Sequence, residues 1–193
     1  MNSNIPSSNL RLEIYIITRK NGILLPRLAY SEPAHSFVQQ WVQGIKAYWQ
    51  QASEGNVKNT TGNPIAYNPS NARITAAAAD ATHGTVLGTG TNPVEITDYA
   101  LQTKINHGTG EGQLSYKIQT ILAYELVGNT ARFKTARQFE NLSGGTITIN
   151  ETGIYIRDGS GQMFCLLRDL VAGGFDILNT QIAEFRYTFK ATL

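Results

Sequence analysis

The sequence has little of several features that mark familiar classes of protein. Its 193 residues include a single cysteine, Cys165, so no disulfide can form within the chain, and this favours a reducing compartment such as a cytoplasm. No apolar run approaches the ~20 residues that are needed to span a bilayer. The opening residues MNSNIPSSNL have neither a basic flank nor an apolar stretch, so we expect no secretory signal and no membrane partner.

Charge is also scarce, at 16% of residues, and the net charge is only +2. Nucleic-acid binders carry a clustered basic patch that neutralises phosphates. The nearest candidate here combines Arg132, Lys134 and Arg137 with two phenylalanines. Alternation along a strand explains that segment as one solvated face and one buried face. We therefore expect no nucleic-acid partner.

The chain as a whole is 41% hydrophobic, and much of it alternates between apolar and polar residues. Residues 10–30 are predicted to form a β-hairpin that turns at Asn21-Gly22, with Pro26 confining the second strand to an edge or a bulge. Residues 114–127 form the longest alternating run, in which Tyr116 and Ile118 share a face. Successive strands separated by turn signals predict a mainly β fold: an antiparallel, jelly-roll-like β-sandwich.

One prominent α-helix is predicted near the N-terminus. Apolar residues recur there at four-residue spacing, which is typical of an amphipathic helix; they are Phe37, Trp41, Ile45 and Trp49. The stripe fits a core helix lying on a sheet, and it also fits an anchor helix inserted into a partner subunit. On the second interpretation these four residues are the candidate assembly contacts. The predicted organisation is a hairpin-and-helix docking unit (1–52), a loop or linker (53–70) and the sandwich (71–193).

A glycine-rich segment at 88–91, Gly-Thr-Gly-Thr, has the look of a phosphate-binding loop. A dinucleotide fingerprint needs a third glycine three residues after the second, and Pro93 stands there instead. No Gly-Lys-Ser/Thr follows, so we expect no nucleotide cofactor. Gly88 and Gly90 are instead predicted to shape a structural turn, through a positive φ or a close backbone approach. Asp98 is predicted to cap a short helical segment that follows.

Other catalytic and metal-binding patterns are weak. Ser160 lacks the strand–elbow–helix context of a nucleophile, and Cys165 lies in an apolar strand where its thiol is expected to be inert. The histidines have no metal-ligand spacing. The acidic residues at turns are better explained as caps for backbone N–H groups; they are Asp98, Glu111, Glu151 and Asp158. We expect no catalytic residue, no metal and no cofactor.

Two stretches together resemble structural proteins of tailed bacteriophages. In LGTGTNPVEITDYALQTKI, residues 87–105, a GTGT turn leads into D-x-x-L. In RQFENLSGGTITINETGIYIRDGSGQMFCLLRDLV, residues 137–171, an aromatic strand is followed by ITINE-x-GIY and a late LLRD run at 166–169. The second stretch matches the phage pattern at Asn141, Gly144, Ile147, Ile149, Glu151, Gly153 and Tyr155. The resemblance covers about residues 35–193.

The resemblance implies a β-sandwich component of a virion, in the tail, the neck or the head surface, without known catalysis. Such a protein assembles in the host cytoplasm, and its partners are other virion proteins and further copies of itself in a homo-oligomer. The alternative is a glycan- or receptor-binding module of a phage tail or adhesion apparatus. In that case loops bearing Tyr67, Tyr99 or His107 would stack on a host surface glycan. A polysaccharide hydrolase would rest on the scattered carboxylates alone.

Overall fold

The computed structural model of the chain describes residues 10–20, 23–34 and 36–192. They form one helix and eleven strands, and every pair of neighbouring strands is antiparallel. The elements are β1 (Leu10–Lys20), β2 (Ile23–Pro33), α1 (Gln39–Gln50), β3 (Glu54–Lys58), β4 (Pro64–Tyr67), β5 (Gly84–Gly88), β6 (Ser115–Ile121), β7 (Glu125–Val127), β8 (Thr130–Glu140), β9 (Ile147–Arg157), β10 (Met163–Ile177) and β11 (Ile182–Thr192). The turn residues Asn21-Gly22 and His35 lie outside the described residues.

The larger sheet has six strands in the order β2-β1-β11-β8-β6, with β7 also pairing with β8. Its inner face follows from the alternation in β1, where Leu12 and Ile14 are buried. β1 pairs with β11 over eight residues, from Leu10 with Phe189 to Ile17 with Ile182. The N-terminal hairpin therefore shares one sheet with the C-terminal strand, which differs from the expected division into a unit at 1–52 and a sandwich at 71–193.

The smaller sheet, in the order β10-β9-β5, packs against the inner face of the larger one. The core between them combines aliphatic side chains with edge-to-face aromatic pairs, a geometry that ring quadrupoles favour. The ring centroids of Tyr116 and Phe139 are 4.8 Å apart, and those of Phe139 and Phe185 are 5.5 Å apart. The predicted fold class is confirmed: a mainly β, antiparallel sandwich with a single helix near the N-terminus among the residues described.

The segment predicted as a linker, 53–70, has structure of its own. β3 and β4 form a two-stranded sheet that contacts α1. A small second core lies between this sheet, the helix and β10, and Tyr67 meets Phe164 edge-to-face in it at 5.0 Å. The segment therefore packs against the body of the protein.

The longest alternating run does not keep its alternation. β6 pairs Tyr116 with Phe139 and Gln119 with Arg137, so a β-bulge lies between the two pairs. A bulge adds one residue to a strand, and the residues after it exchange faces. Gln119 is therefore buried and accepts a hydrogen bond from the Thr85 N–H at 2.8 Å, whereas Ile118, predicted to share a face with Tyr116, is 63% exposed.

Residues 72–80 are irregular apart from an isolated bridge at Arg73, and they lie over Arg137 of β8. This side chain is 1% exposed and donates to five backbone carbonyls, at distances of 2.5–3.2 Å. Its acceptors are the carbonyls of Ala77, Asp80, His83, Thr85 and Lys117. Burial lowers the pKa of the guanidinium to about 10, so it stays charged at neutral pH. One arginine therefore holds an irregular segment against both sheets.

We expect Arg137→Met to lower the free energy of unfolding by at least about 3 kcal/mol, because several buried carbonyls lose their donor. Urea unfolding followed by circular dichroism measures the loss. Arg132→Met, on the outer face of the same strand, is the matched control and should cost less than about 1 kcal/mol. Equal losses in the two variants would contradict the role assigned to Arg137.

Candidate functional site

Buried ionic contacts join the loop at 88–103 to two neighbouring strands of the smaller sheet. Glu151 of β9 is fully buried, and its Oε2 accepts from Nε of Arg168 in β10 at 2.8 Å. Arg168 is 2% exposed and donates through Nη1 to Oδ2 of Asp98 at 2.7 Å. A buried carboxylate is costly unless it is paired and hydrogen-bonded. Both conditions hold here.

Glu151 also binds the backbone of the loop at 88–103. It accepts from the N–H groups of Gly90 at 3.1 Å, Gln102 at 3.0 Å and Thr103 at 2.7 Å. Together with Arg168 these give the carboxylate four donors. The loop lacks regular secondary structure over 89–103, so this carboxylate satisfies N–H groups that a strand or helix would otherwise satisfy.

Arg168 binds the first half of the same loop. Its Nη2 donates to the carbonyl of Asn92 at 3.0 Å, and Nη1 lies 3.4 Å from the carbonyl of Pro93. The side chain of Gln102 accepts from the N–H groups of Thr91 and Asn92, both at 3.0 Å. The loop is therefore fixed at both ends to the smaller sheet.

Gly88 and Gly90 are required by close approach, and neither has a positive φ. A Cβ on Gly88 would lie 2.5 Å from Glu151 Oε1 and 2.7 Å from the carbonyl oxygen of Thr103. A Cβ on Gly90 would lie 2.5 Å from both Glu151 Oε1 and Gln102 Cβ. The segment that first suggested phosphate binding thus surrounds a carboxylate of the protein itself.

Asp98 is placed differently from the prediction. No helix follows it, and residues 96–97 form only a turn. Oδ2 of Asp98 accepts from the Glu95 N–H at 2.9 Å and from Arg168. The capping prediction is therefore corrected: Asp98 holds its own turn and pairs with an arginine 70 residues away, a partner that local sequence does not indicate.

An open cavity of about 480 Å³ lies on the solvent side of this network, which forms part of its lining. Tyr99, 37% exposed, stands at its side, and Lys58 lies 5.4 Å from the centre of the tyrosine ring. The polar groups of the lining come from Asn92, Glu95, Asp98, Gln102 and Arg168. The cavity combines one aromatic face with amide and carboxylate groups.

The residues considered for chemistry are held in structural contacts. Cys165 is fully buried, and burial raises the pKa of its thiol. Oδ1 of Asp158 accepts from the Ser160 N–H at 2.9 Å within a turn. His83 is buried beside the Thr75 carbonyl at 3.0 Å, and His107 accepts the Tyr116 N–H at 3.1 Å. Within the described part of the chain, no three His, Cys, Asp or Glu side chains converge as metal ligands would.

The predicted stripe divides into a packed half and an exposed half, and Phe37 precedes α1 and bridges Leu167 of β10. Phe37 and Trp41 stack with ring centroids 4.4 Å apart, and Trp41 lies 6.4 Å from Phe189 of β11. Ile45 is half-buried, whereas Trp49 is 80% exposed. Val42 and Tyr48 are exposed as well. The structure therefore places the first two predicted contacts against the sandwich and leaves Trp49 on the surface.

Sequence reasoning missed a second exposed surface, at the two edges of the larger sheet. The β2 edge exposes four aliphatic side chains: Ile23, Leu24, Leu25 and Leu28. The edge formed by β6, β7 and the residues between them exposes six apolar side chains: Ile118, Ile121, Leu122, Tyr124, Leu126 and Val127. Pro26 correctly predicted that β2 lies at an edge. The exposed side chains of the opposite edge were not predicted, because the bulge in β6 changes which residues face outward.

Among known proteins, no family model, no curated protein and no solved structure matches this chain. The phage resemblance stays a hypothesis that rests on its motif residues. None of the helices in the described ranges is both long enough and apolar enough to cross a membrane.

We expect Glu151→Gln to destabilise the protein by roughly 3–5 kcal/mol, because it leaves Arg168 without its buried partner and turns an amide donor toward other donors. Chemical unfolding measures the loss, and hydrogen exchange should accelerate at the amides of 90, 102 and 103. Glu125→Gln, which breaks the surface pair with Arg132, is the control and should cost less than about 1 kcal/mol. Unchanged exchange in the loop would contradict the anchoring role.

Proposed function

We propose that this chain is a non-enzymatic structural component of a tailed-phage virion, acting through contacts with other virion proteins and with copies of itself. The motif residues support this proposal through their physical roles. Arg168 donates to both Asp98 and Glu151, and the Tyr155 hydroxyl accepts the Leu101 N–H at 2.6 Å. Both halves of the resemblance thus serve to fix one loop on one sheet, as expected of a pattern that specifies a fold.

The observation that carries the proposal is the apolar surface at the two sheet edges. Exposed apolar edges are templates for pairing with another chain, and monomeric proteins blunt them with charges, prolines or covering loops. Pro26 and Arg27 are such features in β2, yet four aliphatic side chains remain exposed around them. An edge of this kind fits a protein that functions inside an assembly.

The two edges differ from each other, and this bears on the form of the assembly. A two-fold dimer through one edge would leave the other exposed. Contact between the β2 edge of one copy and the β6–β7 edge of the next covers both, and such head-to-tail contacts build rings when the rotation closes. A ring is therefore the arrangement that we propose for the homo-oligomer. Trp49 at the end of α1 remains available for a different virion protein.

We expect the double substitution Leu24→Lys/Leu28→Lys to dissociate the oligomer into folded monomers, because lysines on an edge strand oppose pairing. Mass photometry and light scattering measure the size, and thermal unfolding shows whether the fold is kept. Leu178→Lys, at an exposed position outside both edges, is the matched control and should leave the oligomer intact. A wild-type chain that stays monomeric at high concentration would contradict self-assembly through the edges.

The virion role has its own test. In particles purified from the phage that encodes this chain, mass spectrometry should find the protein at a fixed stoichiometry, and labelled antibody should decorate one position on the particle. Absence from purified particles would overturn the proposal.

A glycan-binding module is the second candidate, and the cavity beside Tyr99 favours it. Of the three residues suggested for stacking, Tyr67 is buried, His107 receives the Tyr116 N–H, and Tyr99 borders a cavity lined by amides and carboxylates. This candidate predicts that Tyr99→Ala removes binding on a glycan array, whereas Tyr124→Ala, at an exposed tyrosine elsewhere, does not. No binding by the wild-type protein would remove it.

A further inference from the structure

A second cavity, of about 300 Å³, opens between the two sheets and has an almost wholly apolar lining. The larger sheet contributes Phe133 and Phe189, whose rings stack at 4.8 Å with an interplanar angle of 4°. The smaller sheet contributes Ile154 and Ile156, and α1 contributes Trp41. Phe133 is 39% exposed, so the cavity reaches the surface. We call it the inter-sheet cleft.

Two arginines stand beside the cleft. Arg73 and Arg157 form an isolated antiparallel bridge, in which each N–H donates to the other's carbonyl at 2.9 Å. Residues that exchange both bonds face each other directly, with Cα atoms about 5.5 Å apart, so both side chains leave the same face. Arg73 lines the inter-sheet cleft and also a polar cavity of about 470 Å³ that Arg157 borders. The two cavities are therefore adjacent.

Within the described part of the chain, neither guanidinium of the arginine pair has a hydrogen bond or an ion pair. The carboxylate in the lining of the polar cavity, Asp158, is 2% exposed and already engaged. Its oxygens accept from the N–H groups of Asn68, Ser160 and Gln162 at 2.8–2.9 Å. Like charges on facing residues repel, and a bound anion would relieve that repulsion.

From this juxtaposition we infer a binding site for an anionic amphiphile with a single apolar chain. The chain lies in the inter-sheet cleft, and a carboxylate or phosphate head lies against Arg73 and Arg157. The volume argues for a small molecule, because ligand cavities have volumes from about 300 Å³ and are mostly apolar with a few polar groups. A protein partner would need about 800 Å² of buried surface on each side. The two charges select an anion among apolar ligands.

Decanoate below its micelle-forming concentration is the probe, and decanol is the neutral control with the same chain. Trp49→Phe leaves Trp41, in the cleft lining, as the single tryptophan reporter. In this background decanoate should change the Trp41 emission saturably and bind at least tenfold more tightly than decanol. Added salt should weaken the binding of decanoate and leave that of decanol unchanged.

The charge variant is Arg73→Gln/Arg157→Gln, which should reduce decanoate affinity at least tenfold without changing decanol binding. Arg27→Gln/Arg132→Gln removes the same charge from β2 and β8 and should bind decanoate as wild type does. Thermal unfolding confirms that both variants are folded, and the salt series on the parent protein tests the site without them. Equal affinity for decanoate and decanol, equal loss in the control variant, or binding to phosphatidylglycerol vesicles without binding to free decanoate would each overturn the inference.

Discussion

The buried carboxylate of Glu151 is the interaction on which the loop at 88–103 and the smaller sheet depend. Removing a carboxylate from water costs several kcal/mol, and here three backbone N–H groups and Arg168 offset that cost. The close approach of the loop is what excludes a Cβ at Gly88 and Gly90. The conformation of the loop, the two glycines and the ion pair therefore all depend on the position of the Glu151 carboxylate.

The same solution recurs at three other places where the chain leaves its strands. Asp158 accepts from backbone N–H groups of two turns, and Arg137 donates to five backbone carbonyls. Asn141 donates to the carbonyls of Gly145 and Ile177. A chain with few charges has thus buried several of them. Irregular segments carry backbone groups that must be satisfied, and a buried ionic or amide side chain satisfies many at once. The surface keeps ion pairs such as Arg132–Glu125 beside its apolar edges.

Patterns between residues close in sequence predicted the features that depend on such residues. Alternation predicted the sandwich, Pro26 the edge strand and the four-residue spacing the helix, because each depends on neighbours in sequence. Arg137, which the sequence alone groups with Arg132 and Lys134, lies on the buried face of β8 in the structure. The bulge in β6 escaped prediction because it depends on Gln119 meeting Thr85, 34 residues earlier. Asp98 escaped for the same reason, since its partner Arg168 comes 70 residues later.

The distance in sequence between the loop and Glu151 also determines the order in which they are synthesised. Residues 90–103 leave the ribosome before Glu151, and at about 5–20 residues per second the interval is about 2–12 seconds. Throughout that time the loop has its glycines but not the carboxylate around which it closes. The loop can therefore close only after β9 and β10 have been synthesised. A nascent chain interrupted before residue 151 would expose the β5 segment, because its pairing partner β9 would be incomplete.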